Sequence, residues 1–341
     1  MDDSKLRRHR TWNFLALLCA ALFASAAPAQ IPPRIPPSEP QTIVLGPSEP
    51  IEAIRPNDEH RPDQAEQSPE ISTLVRPPVR PGIFQRLIAH QSWLASGGAE
   101  EFGWFHWEVK SIWGLPLPDV QKPLVITPSF GTYWVDGPEL IDLPPRLYDV
   151  SLQIRWLPSV APRWKIDLGL TPGLYGDFEF CDSSTFRLAS HAVAVFQWKP
   201  TLILSGGVAY LDREDVGLIP VAGVIWQLNE RWILELLMPR PRINRRIDWG
   251  FLSRPGAENW LYVVGEFGGG TWSVERAVTS LHDVVTYRDF RLLVGVEQRV
   301  PLELSWRLEA GYVFSRKLEY ESSPVSLHPD DTVVIRMTLS Y

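Results

Sequence analysis

Thr332-Val333-Val334-Ile335-Arg336-Met337-Thr338-Leu339-Ser340-Tyr341 is the stretch on which the fold turns. Val333, Ile335, Met337, Leu339 and Tyr341 fall on one face, while Thr332, Arg336, Thr338 and Ser340 fall on the other, apart from Val334. Side chains alternate between the two faces of a strand, so this segment reads as a strand with one apolar and one polar side.

The pattern repeats upstream. Tyr148, Val150, Leu152, Ile154 and Trp156 oppose Asp149, Ser151, Gln153 and Arg155. Trp164, Ile166, Leu168 and Leu170 oppose Lys165, Asp167, Gly169 and Thr171, and Leu302, Leu304, Trp306, Leu308, Ala310 and Tyr312 oppose Glu303, Ser305, Arg307, Glu309 and Gly311. Segments of about 9 to 13 residues with period-two alternation have the length and pattern of membrane-spanning strands.

A soluble sandwich alternates too, and tryptophan placement separates the cases. Trp156 and Trp164 flank the turn at 158–162, Trp198 precedes Lys199-Pro200, Trp226 and Trp232 flank Asn229-Glu230, and Trp306 follows Val300-Pro301. Indole rings settle where hydrocarbon meets water, whereas the same outward face on a soluble sandwich would aggregate. The fold class is therefore all-β, a single antiparallel transmembrane barrel.

Fourteen strands are expected, near 84–94, 102–113, 123–134, 147–157, 163–175, 186–198, 201–211, 218–228, 231–239, 243–251, 259–267, 285–299, 302–314 and 331–341. Dropping the first and the 243–251 segment leaves twelve as the alternative. With fourteen, the tryptophan-flanked short turns named above each join an even strand to the next odd one on the periplasmic side, and segments 135–146, 268–284 and 315–330 become external loops.

Ahead of the barrel, Lys5, Arg7, Arg8 and Arg10 precede an apolar run from Phe14 to Phe23, and Ala27-Pro28-Ala29 offers a cleavage site. Residues 1–29 read as a secretory signal, too short in its apolar part for a permanent membrane helix. Cys19 follows Leu18 where lipoprotein processing wants a small residue, so no lipid anchor is expected. Residues 30–81 are proline-rich and almost free of aromatics, which cannot build a core. They read as a disordered periplasmic linker able to reach on the order of 150 Å when extended. After cleavage Cys181 is the only cysteine, so no internal disulfide forms. The net charge is −7, and removal of a leader with four basic and two acidic residues takes it to about −9, which argues against nucleic acid as a partner.

Several stretches together resemble an uncharacterised family of bacterial outer-membrane barrels known as a domain of unknown function. They are 143–150 (LPPRLYDV), 210–216 (YLDREDV), 220–223 (PVAG) and 265–276 (GEFGGGTWSVER), and the likeness runs roughly from Gly82 to Tyr341. The resemblance implies a barrel at the cell surface and no known activity or catalytic residue.

The inward faces carry both signs of charge. Candidate lumen-lining residues are Glu108, Lys110, Asp149, Arg155, Lys165, Asp167, Arg187, Glu235, Glu266, Asp289, Arg291, Glu297, Glu303, Arg307, Glu309 and Arg336. They either pair to hold the wall together or line a path for polar solutes. Asp212, Glu214 and Asp215 in the expected loop suit a hard cation or, more simply, a charged turn around Arg213. Gly268-Gly269-Gly270 lacks the lysine of a phosphate loop and reads as a bend or close backbone approach, with Glu266 and Arg276 pairing across it.

An enzyme would draw its base from His106, His191 or His282. Ser190 next to His191 faces the opposite way on a strand, and no H-E-x-x-H, G-x-S-x-G or cysteine-rich spacing is present. No catalytic residue, metal site or cofactor is expected. The leading expectation is a non-enzymatic channel for small polar solutes or a structural envelope protein. A surface lipid hydrolase and a barrel anchoring an envelope-tethering arm are the alternatives. The expected partners are outer-membrane lipids, the barrel-assembly machinery through the strand ending at Tyr341, and a periplasmic partner of the linker.

Overall fold

A computed structural model describes residues 82–96, 102–119, 122–136, 142–179, 181–248, 254, 256–323 and 326–341. The expected signal and linker lie outside the described residues. The strands in chain order are β1 (Phe84–Leu94), β2 (Gly103–Asp119), β3 (Lys122–Asp136), β4 (Arg146–Trp156), β5 (Ser159–Ala161), β6 (Trp164–Gly176), β7 (Phe186–Lys199) and β8 (Leu202–Tyr210). There follow β9 (Leu218–Gln227), β10 (Trp232–Leu237), β11 (Arg242–Ile247), β12 (Glu258–Glu275), β13 (His282–Arg299), β14 (Ser305–Tyr320), β15 (Ser326–Leu327) and β16 (Thr332–Ser340).

The sheet closes because β1 pairs with both β2 and β16, from Ile88↔Ser340 to Leu94↔Val334. Every other long strand pairs antiparallel with its neighbours, while β5 and β15 are short additions to β6 and β14. Fourteen strands therefore form the ring, and the twelve-strand alternative is set aside. Closure leaves no free sheet edge around the base of the ring, which a bilayer requires.

The outer face is apolar. Leu168, Leu170, Leu292, Val294, Leu308, Val333, Ile335 and Met337 are all exposed. Trp113, Trp164, Trp198 and Trp226 form an exposed belt at the end carrying the termini, and Trp93 and Trp134 stand at the far end. Trp156, Trp232 and Trp306, expected in the same belt, are only half exposed. Trp306 donates to Gln298 at 3.1 Å, and Gln298 donates to Asn259 at 3.0 Å, which fastens β12, β13 and β14 at their base.

Wall height departs from the expected lengths in two places. The segments 268–284 and 315–330, expected as loops, instead continue strands: β12 and β13 run together to Glu275↔His282, and β14 continues to Tyr320. Gly268-Gly269-Gly270 stays in the ladder instead of bending it. The close approach is real, since a Cβ on Gly269 (φ +112) would stand 2.0 Å from the Tyr287 carbonyl oxygen. By contrast β10 and β11 have six residues each and are joined by a turn at 238–241.

Candidate functional site

The interior divides by height. Nearer the termini it is a charged network. Glu297 accepts from Arg242 at 2.6 Å, Arg299 at 3.0 Å and Arg307 at 3.1 Å. At mid-height Glu266 meets Arg240 (3.1 Å), Arg291 (3.4 Å) and Arg336 (2.8 Å), and Glu309 meets Arg240 (3.3 Å) and the Tyr262 hydroxyl (2.8 Å). Asp289, fully buried, holds Arg291 in a two-point fork at 2.7 and 2.9 Å. Arg242 to Glu297 reaches over β12, and Arg336 to Glu266 reaches over β13 and β14, so these contacts tie strands that are not neighbours along the inner wall. Forked guanidinium–carboxylate contacts are the strong form of charge-assisted hydrogen bond.

On the opposite wall Asp167 takes a fork from Arg155 at 2.7 and 2.5 Å and lies 3.2 Å from His191 Nε2. Lys110 pairs with Glu108 at 2.9 Å, and His90 Nδ1 lies 3.0 Å from the Thr338 hydroxyl. Glu235 accepts from Asn244 at 3.0 Å, and Lys165 faces inward beside Asp167's strand position.

Toward the far end the interior turns aromatic. Trp104 meets Tyr287 edge-on at 4.6 Å and Tyr133 at 5.7 Å, Tyr133 meets Trp272 at 5.4 Å, and His106 stacks on Tyr133 at 4.0 Å. Trp272 donates to Asp149 across the barrel at 2.7 Å. Arg316, among the most buried side chains, donates to the carbonyls of Phe102 and Asp330 at 2.7 Å and to the Tyr287 hydroxyl at 3.0 Å. These rings come from β2, β3, β12 and β13, so they plug the bore from wall to wall.

Above the plug, the β12–β13 hairpin folds across the mouth. Ser273 of β12 pairs in parallel with Gly176 of β6, nearly half the ring away, and a Cβ on Gly176 would meet the Ser273 carbonyl oxygen at 2.5 Å. Glu275 N donates to Asp177 at 2.6 Å, Ser184 donates to Ser273 at 2.9 Å, and Asp142 holds the backbone of Val278 and, at 2.9 Å, the hydroxyl of Thr279.

Of the sequence candidates, Glu108, Lys110, Asp149, Arg155, Lys165, Asp167, Arg187, Glu235, Glu266, Asp289, Arg291, Glu297, Arg307, Glu309 and Arg336 sit on inward strand positions. Glu303 does not: it is exposed in the turn between β13 and β14, because β14 begins only at Ser305. The expected Glu266–Arg276 pair is also absent from the described contacts. Glu266 lies at mid-height, while Arg276 pairs with Asp283 at 2.5 Å and lies 3.9 Å from the Tyr320 ring centre. The loop carboxylates diverge to separate partners, Asp212 to Leu188 N (2.6 Å), Glu214 to Arg187 (2.9 Å) and Asp215 to Arg213 (2.9 Å), an arrangement that gathers no cation site. Ser190 faces out and His191 in, as the alternation requires.

Sequence reasoning missed Tyr133, Arg240, Arg242, Tyr262, Trp272, Tyr287 and Arg316. One signal was present: glycine two residues before an aromatic. Gly173 precedes Tyr175 and Gly270 precedes Trp272, and in each case a Cβ would stand 2.6 Å from the ring, so the glycine makes room for an inward ring lying flat along the wall.

Residues 139–328 match a family model described as a domain of unknown function (DUF6268). No curated protein matches the chain. Among solved structures the chain is similar to a TodX deltaS2S3 mutant monoaromatic hydrocarbon channel, at 7% identity over 80% of this chain and 94% of that one with a TM-score of 0.35. It is also similar to OccK9 (OpdG) of Pseudomonas aeruginosa, at 11% identity over 75% and 97% of the two chains with a TM-score of 0.30. Superpositions this loose bring no transport role to this chain.

Proposed function

The chain belongs to the DUF6268 family, whose function is unknown, and from its geometry we propose that it is a non-enzymatic outer-membrane barrel that rests closed and passes small polar solutes passively when its mouth opens. The leader exports it, the termini face the periplasm, and outer-membrane lipids surround the apolar face. The last strand hands it to the assembly machinery, and the linker reaches into the periplasm toward a partner there.

The observation that carries this reading is the wall-to-wall plug lying above a charged, wettable lower bore. Ion pairs along the wall of the lower bore leave polar surface that water or a polar solute can solvate, whereas the ring cluster offers no such route. Hydrolysis finds no support in the same geometry: His191 has an acid beside it, but Arg155 already forks that acid, and the neighbouring serine faces lipid.

Planar-bilayer recording of the refolded chain after leader removal tests this. The intact chain should be silent or open rarely, and Trp272→Gly, which removes the ring spanning to Asp149, should produce steady ohmic steps. Steady steps from the intact chain, or silence from a folded Trp272→Gly barrel, would overturn the reading.

A further inference from the structure

The wall is incomplete on one side. Strands of six residues extend roughly 20 Å and, tilted about 40°, rise roughly 15 Å, against an apolar band about 25 Å tall. β10 and β11 therefore stop inside the membrane, at the level where Arg242 pairs with Val264. Beyond them β9 continues from Ala222 to Leu218, and β12 from Glu266 to Trp272, with no strand between among the described residues.

The result is a framed window. Its sill is the turn Met238-Pro239-Arg240-Pro241, fastened to Ala222 and Gly265 by 3.0 Å backbone hydrogen bonds. Its lintel is Arg213, which lies 5.0 Å from the Phe267 ring centre and donates to the Tyr287 carbonyl at 3.2 Å, past the glycines of β12. Ala222 turns its backbone groups toward β10, so Pro220, two residues on, has the missing N–H on the open edge. A proline there leaves one fewer unsatisfied donor facing lipid.

Arg240 sits on the sill and turns inward to Glu266 and Glu309, with its side chain 45% exposed. Behind it Arg336 is 8% exposed; its Nη1 binds Glu266 at 2.8 Å, its Nε lies 3.5 Å from Glu309, and its Nη2 has no hydrogen-bond partner. An unpartnered guanidinium nitrogen at that burial calls for an acceptor. On the β10–β16 side of the lower bore six arginines (240, 242, 291, 299, 307, 336) face five carboxylates (235, 266, 289, 297, 309), a local excess of positive charge.

We propose that the window admits a single-chain amphiphile with a carboxylate head, the head taken by Arg240 and Arg336 and the chain left between β9 and β12 at the lipid boundary. Exposed Met238 and half-buried Phe267 suit the chain, and a fork of guanidinium donors suits the carboxylate. This deepens the transport reading and rests on it only for the membrane setting. It is tested in detergent, so a failed conductance experiment and a failed binding experiment are separate results.

Dansyl-aminoundecanoic acid is titrated into the folded chain in non-ionic detergent, with heat-modifiable gel mobility as the folding control. Saturable fluorescence should be displaced by lauric acid and about tenfold less well by lauryl alcohol. Arg240→Gln and Arg336→Gln should each weaken binding about tenfold without changing the mobility shift. A fatty acid with a diazirine at its chain end should cross-link to 218–222 or 266–272. Absent saturation, equal displacement by acid and alcohol, displacement by inorganic phosphate at the same concentration, or cross-links confined to β1–β4 would each overturn the proposal.

Discussion

The tall side of the barrel, β12 to β14 with 16 to 18 residues per strand, and the low side, β10 and β11 with six each, use opposite ways of finishing a wall. The tall strands rise beyond the membrane and spend their extra length inward, where Tyr287, Trp272 and Arg316 meet the β2–β4 wall. The low strands end in mid-membrane, and a proline turn, an arginine strap and an arginine sill frame the gap. Length on one side seals the mouth, and its absence on the other opens the flank.

The contrast should be measurable as stability. Tyr287→Ala removes a fully buried ring packed on Trp104 and Phe102 and should cost about 3–5 kcal/mol, read as a lower urea midpoint for unfolding of the refolded barrel. Leu236→Ala on the lipid face of β10 should shift that midpoint far less, and an equal shift would erase the distinction between the two sides. Glu297→Gln leaves Arg242, Arg299 and Arg307 without their shared carboxylate and should cost about 3 kcal/mol in the same assay.

Smaller effects sharpen the picture of the mouth. Asp177→Asn weakens the acceptor for Glu275 N by about 1.4 kcal/mol and should speed amide exchange in the β12–β13 hairpin about tenfold while leaving β1–β4 unchanged. Asp167→Asn, on the wall away from the tall strands, loses a fork to an Arg155 side chain that is 39% exposed, and solvent screening should hold its cost to about 1 kcal/mol or less.

How much of this the sequence disclosed follows from what alternation encodes. Period two separates inside from outside, so the ring and its strand number were legible from segments such as 148–156 and 332–341. Alternation does not encode height. Trp272 and Tyr320 lie on strands that continue past the membrane, and there the outward face turns polar while the inward face turns apolar, so the segments read as loops. Six-residue β10 was overestimated for the complementary reason: apolar Met238 prolonged the pattern past Leu237, where the strand ends, while residues 249–251 of the expected 243–251 strand lie outside the described residues. Partners were not legible at all. Arg240 stands in a turn by sequence, and only the low sill swings it to Glu266 and Glu309. Glu303 kept the alternation of β14 yet fell in the turn before it, since Ser305 hydrogen-bonds Val300 and starts the strand later.

Side-specific thiol labelling tests the central claim most directly, that the bore is sealed at its far end and open toward the termini. In a Cys181→Ser background, Lys110→Cys places a thiol in the lower bore beneath the plug. A membrane-impermeant maleimide should leave it unlabelled on intact cells and label it once osmotic shock opens the periplasm. Labelling of intact cells at the rate of an external loop cysteine would contradict the sealed mouth.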